Sequence, residues 1–283
     1  MEITLIERQF ENRQKGAAKL SQYRVKNYVN GVTLNVRDKE ALKSFYEDLL
    51  GFNVMNETYT SIQYEVGDSG HRITLRQLDH GREPLVSEAG LFHIGIRLGS
   101  HSELADLMAH LTENNIVLNG AEHDVSTSLY FSDPEGNGFE FYADAPEETW
   151  EFDKENRVIM DTRHLYASKL MNLRSKQGWQ GMPSDSQIGN VHLKTVRLSE
   201  VKDYYLKHFG LEESSYVNKT SLFMSTGGYH HNLAVNHWMS SMQRMESDDT
   251  YGLALVDYHY PASTHKWLKG PDGIEFRFNY LGV

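Results

Sequence analysis

Short runs of alternating polar and apolar residues, broken by segments of helical spacing, recur along this chain. In Leu91-Phe92-His93-Ile94-Gly95-Ile96-Arg97-Leu98, His93, Gly95 and Arg97 fall on one face of a strand and Ile94, Ile96 and Leu98 on the other. The imidazole is thereby turned away from the apolar layer. Between Glu103 and Leu111, Leu104, Leu107, Met108 and Leu111 share one helical face, and Asn119-Gly120 marks a turn before an extended segment at 124–131. Asp133-Pro134-Glu135-Gly136-Asn137-Gly138 has turn composition, and the strand after it sends Phe139 and Phe141 to one side and Glu140 to the other. Strand, helix, then two or three strands is one βαβββ module, with a histidine entering and a carboxylate leaving on the non-apolar side.

The same pattern starts elsewhere. An alternating strand from Val29 to Val36 precedes a helix with Leu42, Phe45, Tyr46, Leu49 and Leu50 at core spacing, stopped by Gly51. Strands at 61–66 and 73–78 flank a hairpin turn at 67–70. A third start at Ile188 leads to a helix with Val201, Tyr204, Tyr205 and Phe209, ended by Gly210, and to a hairpin through 221–224 and 229–235. A fourth start near Gly252, closing at Gly270-Pro271-Asp272-Gly273-Ile274-Glu275, has too few residues for a helix and four strands. Gly31, His93 and Asn190 occupy one frame of this repeat. One module cannot cover its own sheet, so modules are expected to pair. The expectation is an α+β chain of four βαβββ modules, the last shortened, forming two curved-sheet, barrel-like halves. Its parts are a polar arm at 1–27, modules one and two at 28–145, a linker at 146–187 with a stretch at 161–173 readable as a helix, and modules three and four at 188–283. Tandem pairing and nested pairing (two with three, one with four) fit equally.

Composition narrows the chemistry. The 283 residues contain no cysteine, which removes disulfides, thiolate catalysis and cysteine-ligated zinc, and leaves histidine and oxygen ligands for any metal. A net charge of −11 without a basic stripe argues against nucleic acid. No apolar run is long enough for a membrane span, and the N-terminus lacks the pattern of a secretion signal, so a cytoplasmic location is the expectation.

The strand–helix–Phe-Tyr-x-x-Leu-Leu-Gly pattern and the Asp-Pro-Glu-Gly-Asn-Gly-Phe-Glu motif, repeated along the chain, resemble the vicinal-oxygen-chelate superfamily of glyoxalases, bleomycin-resistance proteins and extradiol dioxygenases. The nearer likeness is to bacterial two-domain catechol 2,3-dioxygenases, from about Asn27 onward. The resemblance implies His93 and Glu140 as metal ligands, with Asn190 at the position where those dioxygenases carry a second histidine. It implies His231, in Tyr229-His230-His231, as the acid–base residue, and His123 and Tyr130 as the groups that hold the substrate hydroxyls. The implied cofactor is Fe(II), with Mn(II) or another divalent metal as the substitute. The implied reaction is ring opening of a catechol- or hydroquinone-type aromatic by O2, with self-association left open.

Asn190 departs from the pattern, because a neutral amide oxygen is a weaker ligand than imidazole. His192 lies on the same strand face, and would replace Asn190 only if the strand were shifted. The second reading is therefore a non-catalytic member of the superfamily that sequesters a small aromatic ligand, and a third is a glyoxalase-like lyase.

Overall fold

The computed structural model describes residues 26–281; the arm expected at 1–27 lies almost wholly outside the described residues. The repeats pair in nested order. Strands β1 (Tyr28–Val36), β2 (Asn53–Glu57), β3 (Ser61–Val66) and β4 (His71–Gln77) share a seven-stranded sheet with β15 (Gly252–His259), β16 (Lys266–Lys269) and β17 (Glu275–Phe278). The second sheet takes β5 (Gly90–Leu98), β6 (Asn119–His123), β7 (Ser126–Ser132) and β8 (Gly138–Asp144) from the second repeat. The third repeat adds β11 (Gln187–Lys194), β12 (Glu212–Tyr216), β13 (Ser221–Ser225) and β14 (Leu233–Asn236). In each sheet the opening strands of partner repeats lie antiparallel, β1 on β15 and β5 on β11. The fourth repeat supplies strands and, among the described residues, no helix, in keeping with its short sequence.

The 146–187 connection differs from the tether its composition suggests. Val158–Ile159 (β9) adds to one edge of the ten-stranded sheet beside β12, and Thr162–His164 (β10) adds to the other beside β6. Three residue steps separate Ile159 from Thr162, a reach of about 11 Å at full extension. Opposite edges of a ten-stranded sheet can be joined by so short a piece only if the sheet curls nearly shut, so this segment staples the cup closed. Helix α3 in the same connection is confined to Ala167–Met171, shorter than the 161–173 stretch its sequence suggested.

Helices α1 (Lys39–Lys43, continuing as a wider π-type turn over Ser44–Leu49), α2 (His101–Glu113) and α4 (Leu198–Phe209) cover the convex faces. Leu104, Leu107 and Leu111 of α2 and Val201, Tyr205 and Phe209 of α4 are buried as their spacing predicts, each apolar side chain contributing about 1.5–3 kcal/mol by leaving water. Ser100 caps α2 by accepting from Glu103 N, and Gly210 ends α4 at φ 62°. Two buried tyrosines cross between repeats. Tyr46 donates to Asp133 of the Asp-Pro turn (2.8 Å), and Tyr205 donates to Asp272 of its counterpart (2.7 Å). Each bond ties a helix beside one sheet to a turn that feeds the other, so the two halves share one continuous core.

Candidate metal and substrate site

The concave face of the ten-stranded sheet carries the chemistry, and strand register decides who meets whom. β5 is central, with β8 parallel on one side and β11 antiparallel on the other. One row across these strands reads Tyr130, Glu140, Gly95, Asn190; the row beside it places His93 opposite His192. Gly95 has no side chain between Glu140 and Asn190. An added Cβ there would sit 2.2 Å from Asn190 Nδ2, so glycine is what lets the amide cross β5 and donate to Glu140 Oε2 at 3.1 Å.

His93 and Glu140 converge. His93 Nε2 lies 3.3 Å from Glu140 Oε2 without the alignment of a hydrogen bond, and it has no hydrogen-bond partner although the side chain is buried. Asn190 Oδ1 is likewise buried without a partner. Burial alone would raise the Glu140 carboxyl, but the imidazole of His93, with His231 and His123 behind it, outweighs burial and holds it well below the usual carboxylate range. The other carboxylate oxygen ends a directed chain. Tyr130 donates to Glu140 Oε1 (2.7 Å), so its oxygen accepts from His123 Nε2 (3.0 Å), and His123 Nδ1 then accepts from the Thr162 hydroxyl (3.0 Å). Burial first, then the Glu140 charge, push the Tyr130 phenol well above its ordinary range and keep it a donor. Thr162 belongs to β10, so the segment that staples the cup also anchors this chain.

A second polar chain enters from the far side. His230 Nε2 faces Asp144 Oδ1 (3.0 Å), and the Nδ1 atoms of His230 and His231 are 2.8 Å apart. A carboxylate accepts, so His230 carries hydrogen on Nε2 and, when neutral, a lone pair on Nδ1. His231 must then donate from Nδ1, which leaves its Nε2 as a lone pair on the pocket side. Burial, then the neighbouring His230, lowers the His231 pKa well below its ordinary value. His192 also lines the pocket; its Nε2 accepts from Asn236 Nδ2 at 2.9 Å, and its ring meets that of His93 edge-on with centroids 4.9 Å apart. Burial lowers its pKa well below the usual value too.

These groups floor a cavity of about 340 Å³ whose walls are mostly apolar, with Phe92, Met160, Val217, Phe223 and Trp238 around the polar floor. The cavity is large enough for one substituted aromatic ring. The six residues singled out in the sequence, His93, Glu140, Asn190, His123, Tyr130 and His231, all reach it or bond to a group that does. His123 and Tyr130 line the cavity while bonding to each other and, through the Tyr130 hydroxyl, to Glu140. A strand running over 229–235, as the alternation there suggests, would set His230 and His231 on opposite faces. In the structure β14 begins only at Leu233, so both rings lie in the loop before it and bond to each other. Asp144 and Thr162 had no local signal; they enter through sheet curvature and edge pairing. His192 had one, its shared face with Asn190.

Repeated βαβββ units closed around a buried imidazole–carboxylate pair define the vicinal-oxygen-chelate architecture. The chain belongs to the Glyoxalase/Bleomycin resistance protein/Dioxygenase superfamily, whose family model matches residues 28–141. In sequence it is similar to a catechol-2,3-dioxygenase of Bacillus subtilis (strain 168), 31% identical over 243 residues that cover 84% of this chain and 84% of that protein. A biphenyl-2,3-diol 1,2-dioxygenase 3 of Rhodococcus globerulus is 28% identical over 135 residues, 46% of this chain and 71% of the relative. Among solved structures, a putative dioxygenase from Bacillus subtilis superposes with a TM-score of 0.63 at 12% identity, covering 90% of this chain and 84% of that one. A glyoxalase I mutant from Zea mays gives 0.53 at 12% identity, covering 89% and 93%. At those identities the structural likeness shows the fold alone. Among the described residues no helix is long and apolar enough to cross a membrane.

Proposed function

We propose that this chain is a metal-dependent dioxygenase that opens catechol- or hydroquinone-type rings with O2, extradiol in type. The observation that carries the reading is the buried, unpartnered His93 Nε2 beside Glu140 on the floor of an apolar pocket. A buried imidazole nitrogen without a hydrogen-bond partner, 3.3 Å from a carboxylate oxygen, suits a divalent ion of the Fe(II) or Mn(II) kind. Among the described residues no three His, Asp or Glu groups close around one point, so the third protein ligand in this reading is the amide of Asn190 rather than a second histidine. Ligation by Asn190 would turn its unpartnered Oδ1 toward the pair in place of the Nδ2 that now bonds Glu140. When bound, such an ion would supply the Lewis-acidic and redox chemistry that the reaction of a catechol with O2 needs.

The remaining roles fall to the chain. His231 Nε2 takes the phenolic proton of the substrate, and its Nδ1 hydrogen can pass toward His230, whose own charge would be met by Asp144. The Thr162–His123–Tyr130 chain fixes the Glu140 carboxylate in rotation, and because His123 and Tyr130 also line the pocket they keep in this reading the role of holding substrate hydroxyls. Phe92, Phe223 and Trp238 supply faces and edges for an aromatic ring and exclude water.

The test is anaerobic loading with Fe(II) or Mn(II), addition of a panel of catechols and hydroquinones, and exposure to O2. A yellow ring-opened product that is lost in His93→Ala and Glu140→Gln is expected. Absence of turnover with every divalent metal, together with tight binding of aromatics to metal-free protein, would replace the enzyme reading with a ligand-sequestering one. Lyase activity on thiol adducts without O2 consumption would point to the glyoxalase-like alternative.

A further inference from the structure

A second, smaller cavity of about 140 Å³ lies where the two sheets meet, between the start of β5, the end of β11, the start of β15 and the turn before β8. Gly90, Lys194, Arg244 and Gly252 are among its walls, and it shares no lining residue with the site above. Its charges are unevenly spent. Glu135 accepts from the backbone of Arg37 and Asp38 and from the Arg37 guanidinium, which also pairs with Glu83. Glu88, fully buried, accepts two bonds from Arg82 (2.8 and 2.9 Å) and one each from Leu85 N and Met245 N. Every carboxylate on this cavity therefore has its donors.

Two cations on this wall, Arg244 and Lys194, have no carboxylate hydrogen-bonded to them among the described residues. Arg244 is only 4% exposed. Its Nη2 donates to the carbonyls of Thr250, Tyr251 and Leu253, but its Nε is buried with no acceptor among the described residues. Its Nη1 stands beside Gly90, where even an added Cβ would keep 3.7 Å of clearance. The Lys194 ammonium makes no hydrogen bond or ion pair with a described residue, and the side chain is half-buried. Burial lowers both pKa values, with Arg244 adding to the effect at Lys194 and Arg82 at Arg244, against the opposing pull of the Glu88 charge on each; that of Arg244 falls to about 10. A buried guanidinium that bonds only to neutral carbonyls and leaves a donor unused is costly unless something negative completes it.

We propose that this cavity is a small-oxyanion site, in which Arg244 and Lys194 bind one carboxylate- or sulfate-sized anion and so join the seven-stranded sheet to the ten-stranded one. The volume admits a tetrahedral oxyanion or a two- to three-carbon carboxylate. Charge-assisted bonds from Arg and Lys are the chemistry that recognises such groups. The site stands independently of the ring-opening reading.

The experiment is titration calorimetry of the full chain with sulfate and, separately, acetate at constant ionic strength, paired with the thermal midpoint at each concentration. Saturable binding of either anion, with the midpoint rising in step, is expected. Binding of sulfate alone would mark a tetrahedral oxyanion, and binding of acetate a carboxylate. Lys194→Gln, a half-exposed change that should fold, is expected to raise the half-saturating concentration at least about tenfold, since it removes one charge-assisted bond. Arg244→Lys is expected to keep the charge and weaken binding less than Arg244→Gln. No saturable binding of either anion, or equal binding by wild type and Lys194→Gln, would overturn the proposal.

Discussion

Replacing Gly95 by alanine tests the central geometric claim, that an empty position on β5 lets Asn190 and Glu140 meet. The new Cβ would fall 2.2 Å from Asn190 Nδ2, 2.5 Å from Cγ and 2.7 Å from Oδ1. Asn190 is 1% exposed and has nowhere outward to go. Overpacking of this kind costs about 1–3 kcal/mol. Displacing the amide also removes a buried hydrogen bond to a carboxylate, about 1.5–3 kcal/mol more. Asn190→Ala alone should cost about the second amount, because the bond is lost without a clash. In the double variant the methyl introduced by Gly95→Ala enters space that the Asn190 side chain has vacated, so its cost should be close to that of Asn190→Ala and well below the sum. Urea denaturation of all four proteins closes the cycle, with an expected coupling of about 1–3 kcal/mol in favour of the double variant. Equal sums within about 0.5 kcal/mol, or a Gly95→Ala protein as stable as wild type, would refute the placement of the Asn190 side chain over Gly95.

Asn190→His restores an imidazole beside His93 and Glu140, and Mn(II) affinity by calorimetry is expected to rise by roughly an order of magnitude or more. Asp144→Asn leaves His230 without its carboxylate, so turnover of a catechol by the metal-loaded enzyme should fall at least about tenfold with metal affinity unchanged. Tyr46→Phe and Tyr205→Phe each strip a hydrogen bond from a buried carboxylate, and each should lose about 1.5–3 kcal/mol in denaturant; unequal losses would mean the two crossings are not equivalent. Glu88 is held down to about 2 because Arg82 and two backbone donors outweigh its burial. A depressed acid stabilises the fold fully above its unfolded value of about 4.3 and loses that contribution as pH falls toward about 2, so Glu88→Gln should flatten the acid limb of stability between those values.

The sequence carried what is local. Alternation at 91–98 and 138–142 set His93 and Glu140 on the polar side of their strands, helical spacing located α2 and α4, and the Asp-Pro-Glu-Gly and Gly-Pro-Asp-Gly turns exposed the repeat, because each depends on neighbours a few residues away. Frame matching gave Asn190 the repeat position of His93; strand register, which the sequence did not show, sets it opposite Gly95 in the row of Glu140. Which repeats pair was not legible, since both arrangements bury the same faces of the same strands. The tertiary structure chose the nested one by laying β5 on β11 and β1 on β15.

The same limit explains what was misread or absent. A two-residue strand at 158–159 and a three-residue strand at 162–164 have too little pattern of their own, and exist because two sheet edges curl to within reach of them. His230 was set apart from His231 by a strand period that starts too early, and only the loop's true path brings their rings together with Asp144. Side-chain period is a property of the chain; the convergence of His93, Glu140, Tyr130, His123 and Thr162 on one pocket is a property of sheet curvature, which long-range packing sets.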